Sequence, residues 1–168
     1  LTSHGPATRE EFARWWGFFP PEAGRVIALL GGEVARLQRA GEVVYLLRRD
    51  LRALERAKED DEVRLLGMFD PYTLAGLPHE AVVPKAWKGE VYRPGAWVSQ
   101  VVLRGGRVGG VWTYERKPAG AHVTARLFDG DVSTKSQLEE SLIAIAPYIG
   151  KVADPFANDG SIEVQRAQ

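Results

Sequence analysis

The hydrophobic period of this 168-residue chain changes at Gly31-Gly32, and that change limits the folds open to its first third. Up to Leu30 the apolar residues recur at helical spacing, whereas from Glu33 they alternate as strand residues do. Thr8 with Glu11 three positions later makes a capping box, and Glu10 and Glu11 stand where a helix dipole favours acid. Phe12, Trp15 and Trp16 then give a stripe at i, i+3, i+4 that Gly17 closes, which predicts a helix over 8–17. Pro20-Pro21 opens a second helix, Pro21 to Leu30, carried by Val26, Ile27, Leu29 and Leu30. The runs 33–39 and 42–47, joined by Ala40-Gly41, read as a hairpin. Asp50 is placed to cap a short helix through Leu51, Leu54 and Ala57.

Helix, turn, helix and hairpin in that order form the second half of a winged-helix unit, whose first helix would lie before or across Leu1. The chain opens on Leu1 rather than Met, and Leu1 to Gly5 reads like the last turn of a helix, so a piece of a longer chain is expected. In winged helices the helix after the turn enters the major groove and the wing touches backbone. Arg25 lies on the expected recognition helix, Arg36 and Arg39 on the wing, and Thr8-Arg9 at a helix start. Residues 1–56 hold nine arginines against seven acids, a small surplus that leaves two readings open: a phosphate-binding surface, or a scaffold that contacts protein.

The charge-dense run 56–62 has no apolar anchor and reads as a linker. Beyond it Val63-Arg64-Leu65-Leu66 is a short buried strand, followed by the turn-rich run 67–72. Trp97 to Leu103 and Arg107 to Tyr114 are β-rich runs around Arg104-Gly105-Gly106, a hairpin that brings Arg104 and Arg107 to one tip. A third strand is expected from His122 to Phe128, after a turn at 117–120. A helix opening at Ser133 carries the inward stripe Leu138, Leu142, Ile145 and Ile149, with Pro147 expected to kink or shorten its last turn. The expected fold class is therefore α+β: a winged helix lacking its first helix over 1–57, a linker at 58–62, an antiparallel β domain with a C-terminal helix over 63–150, and a loose tail over 151–168.

Composition narrows the function. Lys+Arg and Asp+Glu are equal at 22 each, which argues against coating nucleic acid by bulk charge. No cysteine is present, and His4, His79 and His122 lie far apart, so neither a metal site nor a cofactor is expected. No apolar run is long enough to span a membrane. Asp70 before Pro71, and Asp129-Gly130-Asp131, are turn residues more often than a carboxylate site, and His79 reads as a loop histidine. Ser3, His4 and Ser99 have no nucleophile elbow around them, and the glycines at 105–110 lie between strands, not before a helix. Trp112 and Tyr114 alternate with Val111 and Thr113, so core packing outweighs base stacking for them.

Three ordered blocks carry a family resemblance. Gly5-Pro6-Ala7-Thr8 with Glu11-Phe12-Ala13-Arg14-Trp15 looks like the later winged helix of a bacterial winged-helix DNA-binding family that includes DNA glycosylases which unhook interstrand crosslinks and bulky alkyl adducts. Val63 to Gly76, with Phe69-Asp70-Pro71-Tyr72, resembles the family's LLP-x-FD-x-Y-LLG signature, and Gly105 to Trp112 its DGR-VVG-x-W hairpin. The resemblance runs from about Gly5 to Ile149. It implies duplex DNA as partner and a cytoplasmic bacterial repair protein; from their places on the helix ends, the wing and the second hairpin, Thr8, Arg9, Arg25, Arg36, Arg39, Arg104 and Arg107 are the contact candidates. Such glycosylases carry a glutamine followed two positions later by glutamine or aspartate, which orients water and stabilises the oxocarbenium-like sugar. No Gln-x-Gln or Gln-x-Asp occurs here; the nearest string, Gln137-Leu138-Glu139, falls on the expected C-terminal helix. The resemblance thus covers the family's carboxy-terminal half without its catalytic half, and no catalytic residue is expected in this chain. The alternative is a non-catalytic interaction module that meets another chain, or the region missing upstream, through Phe18-Phe19 or the uncovered first-helix surface.

Overall fold

The first helix, α1 (Arg9–Trp16), starts where its capping box puts it. The Thr8 hydroxyl accepts the Glu11 N–H at 3.1 Å, and the Glu11 carboxylate accepts the Thr8 N–H at 2.7 Å. Gly17 closes the helix at φ 70°, a left-handed conformation that glycine adopts without a Cβ clash. The computed structural model describes residues 1, 4–59, 61–75, 80–117, 120–128, 135–149 and 162–166. The chain divides into two units, Leu1–Glu59 and Asp60–Gln168.

In the first unit α2 (Pro20–Leu30) follows a short turn, and the Phe19 N–H donates to the Glu22 carboxylate at 2.9 Å. Strands β1 (Val34–Arg39) and β2 (Glu42–Leu47) pair antiparallel around Ala40-Gly41, whose φ values of 51° and 86° give the twist a tight hairpin needs. Ala7 adds a bridge to Tyr45, with backbone bonds in both directions. Phe12, Ala13, Ala23 and Ile27 form the small core, against which Val26, Val34 and Tyr45 pack. Asp50 precedes α3 (Leu51–Arg56) but does not cap it: a 3-10 turn over Arg48–Asp50 gives it helical backbone angles, and its side chain makes no capping bond. An N-cap side chain needs extended backbone to reach back to the amides, and Asp50 lacks it.

The second unit is built on a five-stranded sheet in the order β3 (Val63–Leu66), β6 (Val101–Arg104), β7 (Arg107–Lys117), β8 (Gly120–Leu127), β9 (Ile162–Arg166). Helix α6 (Lys135–Ile149) covers one face, burying Leu138 and Leu142 against Val102, Trp112, Val123 and Leu127. The short helices α4 (Pro71–Ala75) and α5 (Lys88–Val91), with a hairpin of β4 (Tyr92–Arg93) and β5 (Trp97–Val98), accompany a second core. There Val83, Val91, Val98, Val101 and Leu103 pack together, and Trp87 stacks on Phe128 at 4.4 Å.

Several expectations change. Residues Ile162–Arg166 are a strand, not part of a loose tail, and they pair parallel with β8, so the sheet is mixed rather than antiparallel. The physical cause is the crossover: α6 intervenes between the two strands, and an intervening helix lets a chain return in the same direction. The run Trp97–Leu103 is two strands in two sheets, because the Ser99 N–H donates to Val91 O and its hydroxyl to Glu90 O, which turns the chain away. Helix α6 runs through Pro147 to Ile149. His79, Asp129, Asp131, Ser133 and the Pro118-Ala119 part of the expected turn lie outside the described residues.

Candidate nucleic-acid interface

The seven contact candidates fall into two chemical groups. Arg25 on α2, Arg36 on β1 and Arg107 at the start of β7 are exposed, and no carboxylate of the described residues pairs with them. Each therefore presents an uncommitted planar fork of donors.

The other guanidinium groups are already engaged. Arg9 donates to the Glu10 carboxylate at 2.6 and 3.0 Å. Arg39 donates one Nη to Pro6 O at 3.0 Å and the other to Glu11 Oε1 at 2.6 Å, so it ties the hairpin to the capping box of α1. Thr8 is buried and spends its hydroxyl on that box. Arg104, register partner of Arg107, folds onto Asp61 through Nε at 2.7 Å and through a second guanidinium nitrogen. That hydrogen-bonded guanidinium holds the Asp61 carboxyl below its ordinary range. The two arginines of the hairpin thus differ: one is neutralised, one is open.

The hairpin tip is braced by a residue that sequence reasoning had not placed there. The Tyr72 hydroxyl donates to Gly106 O at 2.7 Å, and Gly105 and Gly106 take φ 52° and 78° to make the turn. The Phe69-Asp70-Pro71-Tyr72 run positions that phenol: Asp70 Oδ1 accepts the Tyr72 N–H at 2.8 Å, so Asp70 serves the turn. Partial burial raises the Tyr72 phenol's pKa, as it does that of Tyr92, pushed up to about 12. Trp112 is buried and its indole N–H donates to Leu66 O at 2.8 Å, which makes it core. His4 sits with its ring 3.7 Å from that of Trp15, and His122 is half-buried in β8.

The first unit also exposes large apolar side chains: Trp16 is 59% exposed, Phe19 76% and Leu29 86%. Among the described residues no three His, Asp or Glu side chains gather as a metal site, and no helix is long and apolar enough to cross a membrane.

Comparison with known proteins places the chain in a family. A family model described as DNA glycosylase AlkZ-like matches residues 1–147. Over 116 residues the chain is 33% identical to an interstrand DNA cross-link repair glycosylase of Streptomyces sahachiroi, a match covering 67% of this chain and 31% of that protein. The structure of Streptomyces sahachiroi DNA glycosylase AlkZ is similar at a TM-score of 0.78 and 26% identity, over 97% of this chain and 42% of the other. The chain spans less than half the length of these relatives.

Proposed function

The chain belongs to the AlkZ-like DNA glycosylase family, and on that footing we propose that it is the DNA-binding carboxy-terminal portion of a winged-helix, glycosylase-like repair protein. In this reading α1, α2 and the β1–β2 hairpin are the later part of a winged helix, and the Ala7–Tyr45 bridge stands where a winged helix adds a third strand beside its wing. The observation that carries the reading is that Arg25 and Arg36 in the first unit, and Arg107 by itself in the second, are each exposed with no carboxylate partner among the described residues. These meet duplex phosphates first. Arg9, Arg39 and Arg104 reach a phosphate only by exchanging a carboxylate for it, and Thr8 helps through the start of α1. The chemistry of base release lies outside residues 1–168, because the glutamine pair is absent.

A salt titration of duplex binding tests this. Each of Arg25→Ala, Arg36→Ala and Arg107→Ala is expected to weaken affinity and to lower the salt slope by about one. A slope unchanged in all three refutes the assignment. No abasic product is expected from alkylated or crosslinked DNA with this chain alone; product abolished by a substitution within it would overturn that claim.

A second reading rests on the exposed Trp16, Phe19 and Leu29. Burying such side chains is worth roughly 1.5–3 kcal/mol each, so another chain, or a further part of the same protein, covers them. As a sole function this predicts a polypeptide contact nearly insensitive to salt and no DNA binding.

A further inference from the structure

The second unit carries an aromatic patch that neither its core nor the proposed backbone contacts use. Phe69 and Trp97 meet edge to face, with ring centroids 5.4 Å apart, and are 43% and 44% exposed. Met68 and Tyr72 flank them, also well exposed, while the valines of the nearby core are almost wholly buried. Phe69 stands at φ 56°, in the left-handed region that a bulky residue rarely takes. Its N–H donates to Val98 O at 3.4 Å, which ties this turn to the strand that bears Trp97. A costly backbone conformation that keeps a phenyl ring in water is a feature associated with ligand contact.

The charge around the patch identifies the ligand. Arg93 is the direct cross-strand partner of Trp97 in the β4–β5 hairpin, and it is exposed with no carboxylate partner among the described residues. The Tyr72 hydroxyl, three residues on from Phe69, donates to Gly106 O at the β6–β7 tip, and Arg107 is the next residue there. Of the acids in these segments, Asp61 is paired with Arg104 and Glu90 with Arg126 at 2.5 Å, while Asp70 accepts the Tyr72 N–H and keeps its charge. Exposed aromatic rings with Arg93 across the strand from Trp97 and Arg107 at the braced tip suit a chain that alternates flat π-faces with anions. In a paired duplex the base faces are covered by their neighbours, so the rings can be met only by an unstacked base.

We propose that Phe69 and Trp97 form a stacking platform for an unpaired base of a DNA strand whose adjacent phosphates meet Arg93 and Arg107. The proposal rests on the DNA-binding reading above and specifies which structural state of DNA the second unit recognises.

The test uses the whole chain and two labelled DNAs of one sequence, a fully paired duplex and the same duplex with one unpaired 2-aminopurine nucleotide. Base–aromatic stacking at its measured range corresponds to about five-fold or more in affinity per base. The unpaired DNA is expected to bind at least that much tighter, with 2-aminopurine fluorescence quenched on binding. Trp97→Ala should remove both the preference and the quenching while leaving paired duplex within about two-fold; Trp97→Phe should restore them in part. Arg93→Ala should lower the salt slope on the unpaired DNA by about one. Equal affinity for the two DNAs without quenching by the unsubstituted chain overturns the platform, whatever the variants do, and leaves duplex binding intact. Failure to bind either DNA overturns the DNA-binding reading itself. A self-association lost in Trp97→Ala, with DNA binding unaffected, assigns the patch to a polypeptide contact and overturns the proposal.

Discussion

Replacing Arg39 with alanine tests whether this arginine serves the fold or the proposed DNA contact. Its guanidinium makes two bonds, to Glu11 Oε1 at 2.6 Å and to Pro6 O at 3.0 Å. The Glu11 side chain is only 11% exposed, whereas that of Arg39 is 40% exposed. Hydrogen bonds to charged groups contribute about 1.5–3 kcal/mol, and breaking a fully buried pair costs about 3–5 kcal/mol. Since water reaches much of the Arg39 side chain, the lower range applies, about 1.5–3 kcal/mol for Arg39→Ala. Arg36→Ala, three residues away on the same strand and with no ion-pair partner among the described residues, should stay within about 0.5 kcal/mol. Urea unfolding followed by tryptophan emission reads the difference, because Trp15 and Trp16 belong to this unit. A shift below about 0.5 kcal/mol for Arg39→Ala would show the clamp to be energetically idle. Loss of DNA affinity without loss of stability would return Arg39 to the contact surface.

Three further outcomes follow from the second unit. A Cβ on Gly110 would stand 2.6 Å from Arg126 O and 3.1 Å from Leu127 Cα, so Gly110→Ala should destabilise by about 1–3 kcal/mol in thermal unfolding. Leu138 is fully buried between α6 and the sheet, so Leu138→Ala should cost about 2–5 kcal/mol in the same assay, and a smaller loss would mean that the site collapses to fill the space. Burial disfavours the Tyr92 phenolate and pushes its pKa up to about 12, and its hydroxyl donates to Thr73 O at 2.8 Å. The folded pKa lies above the ordinary value, so this stabilisation is complete below that value and is lost as pH rises towards 12. Alkaline titration of phenolate absorbance, compared with Tyr92→Phe, should show one late-titrating group missing from the variant.

What could be read from the chain alone was set by short-range chemistry. Thr8 and Glu11, Gly17, Ala40-Gly41 and Gly105-Gly106 each act on neighbours within a few residues, and each stands where the local pattern puts it. The α6 stripe was legible for the same reason. The strand Ile162–Arg166 was not, because its partner lies on β8 across a helix and nothing adjacent marks it. Pairing of charges was equally hidden. Arg104 and Arg107 look alike in the hairpin, yet Asp61, forty-three positions from Arg104, neutralises only one of them. Phe69 and Trp97 looked like a turn residue and a strand residue; only the β4–β5 hairpin shows that both leave the core.

The parallel pairing of β9 carries a consequence for how the sheet is completed in time. Val123 meets Ile162, so the outer edge of β8 stays unpaired until the chain has emerged well past α6. During synthesis, or after a cut between α6 and β9, that edge offers a row of free N–H and C=O groups along Val123–Leu127. Its own sequence, Val-Thr-Ala-Arg-Leu, includes one arginine to discourage a foreign strand. The closing strand therefore acts as a late guard against intermolecular pairing, and a chain shortened before Ile162 should aggregate while its other unit still folds.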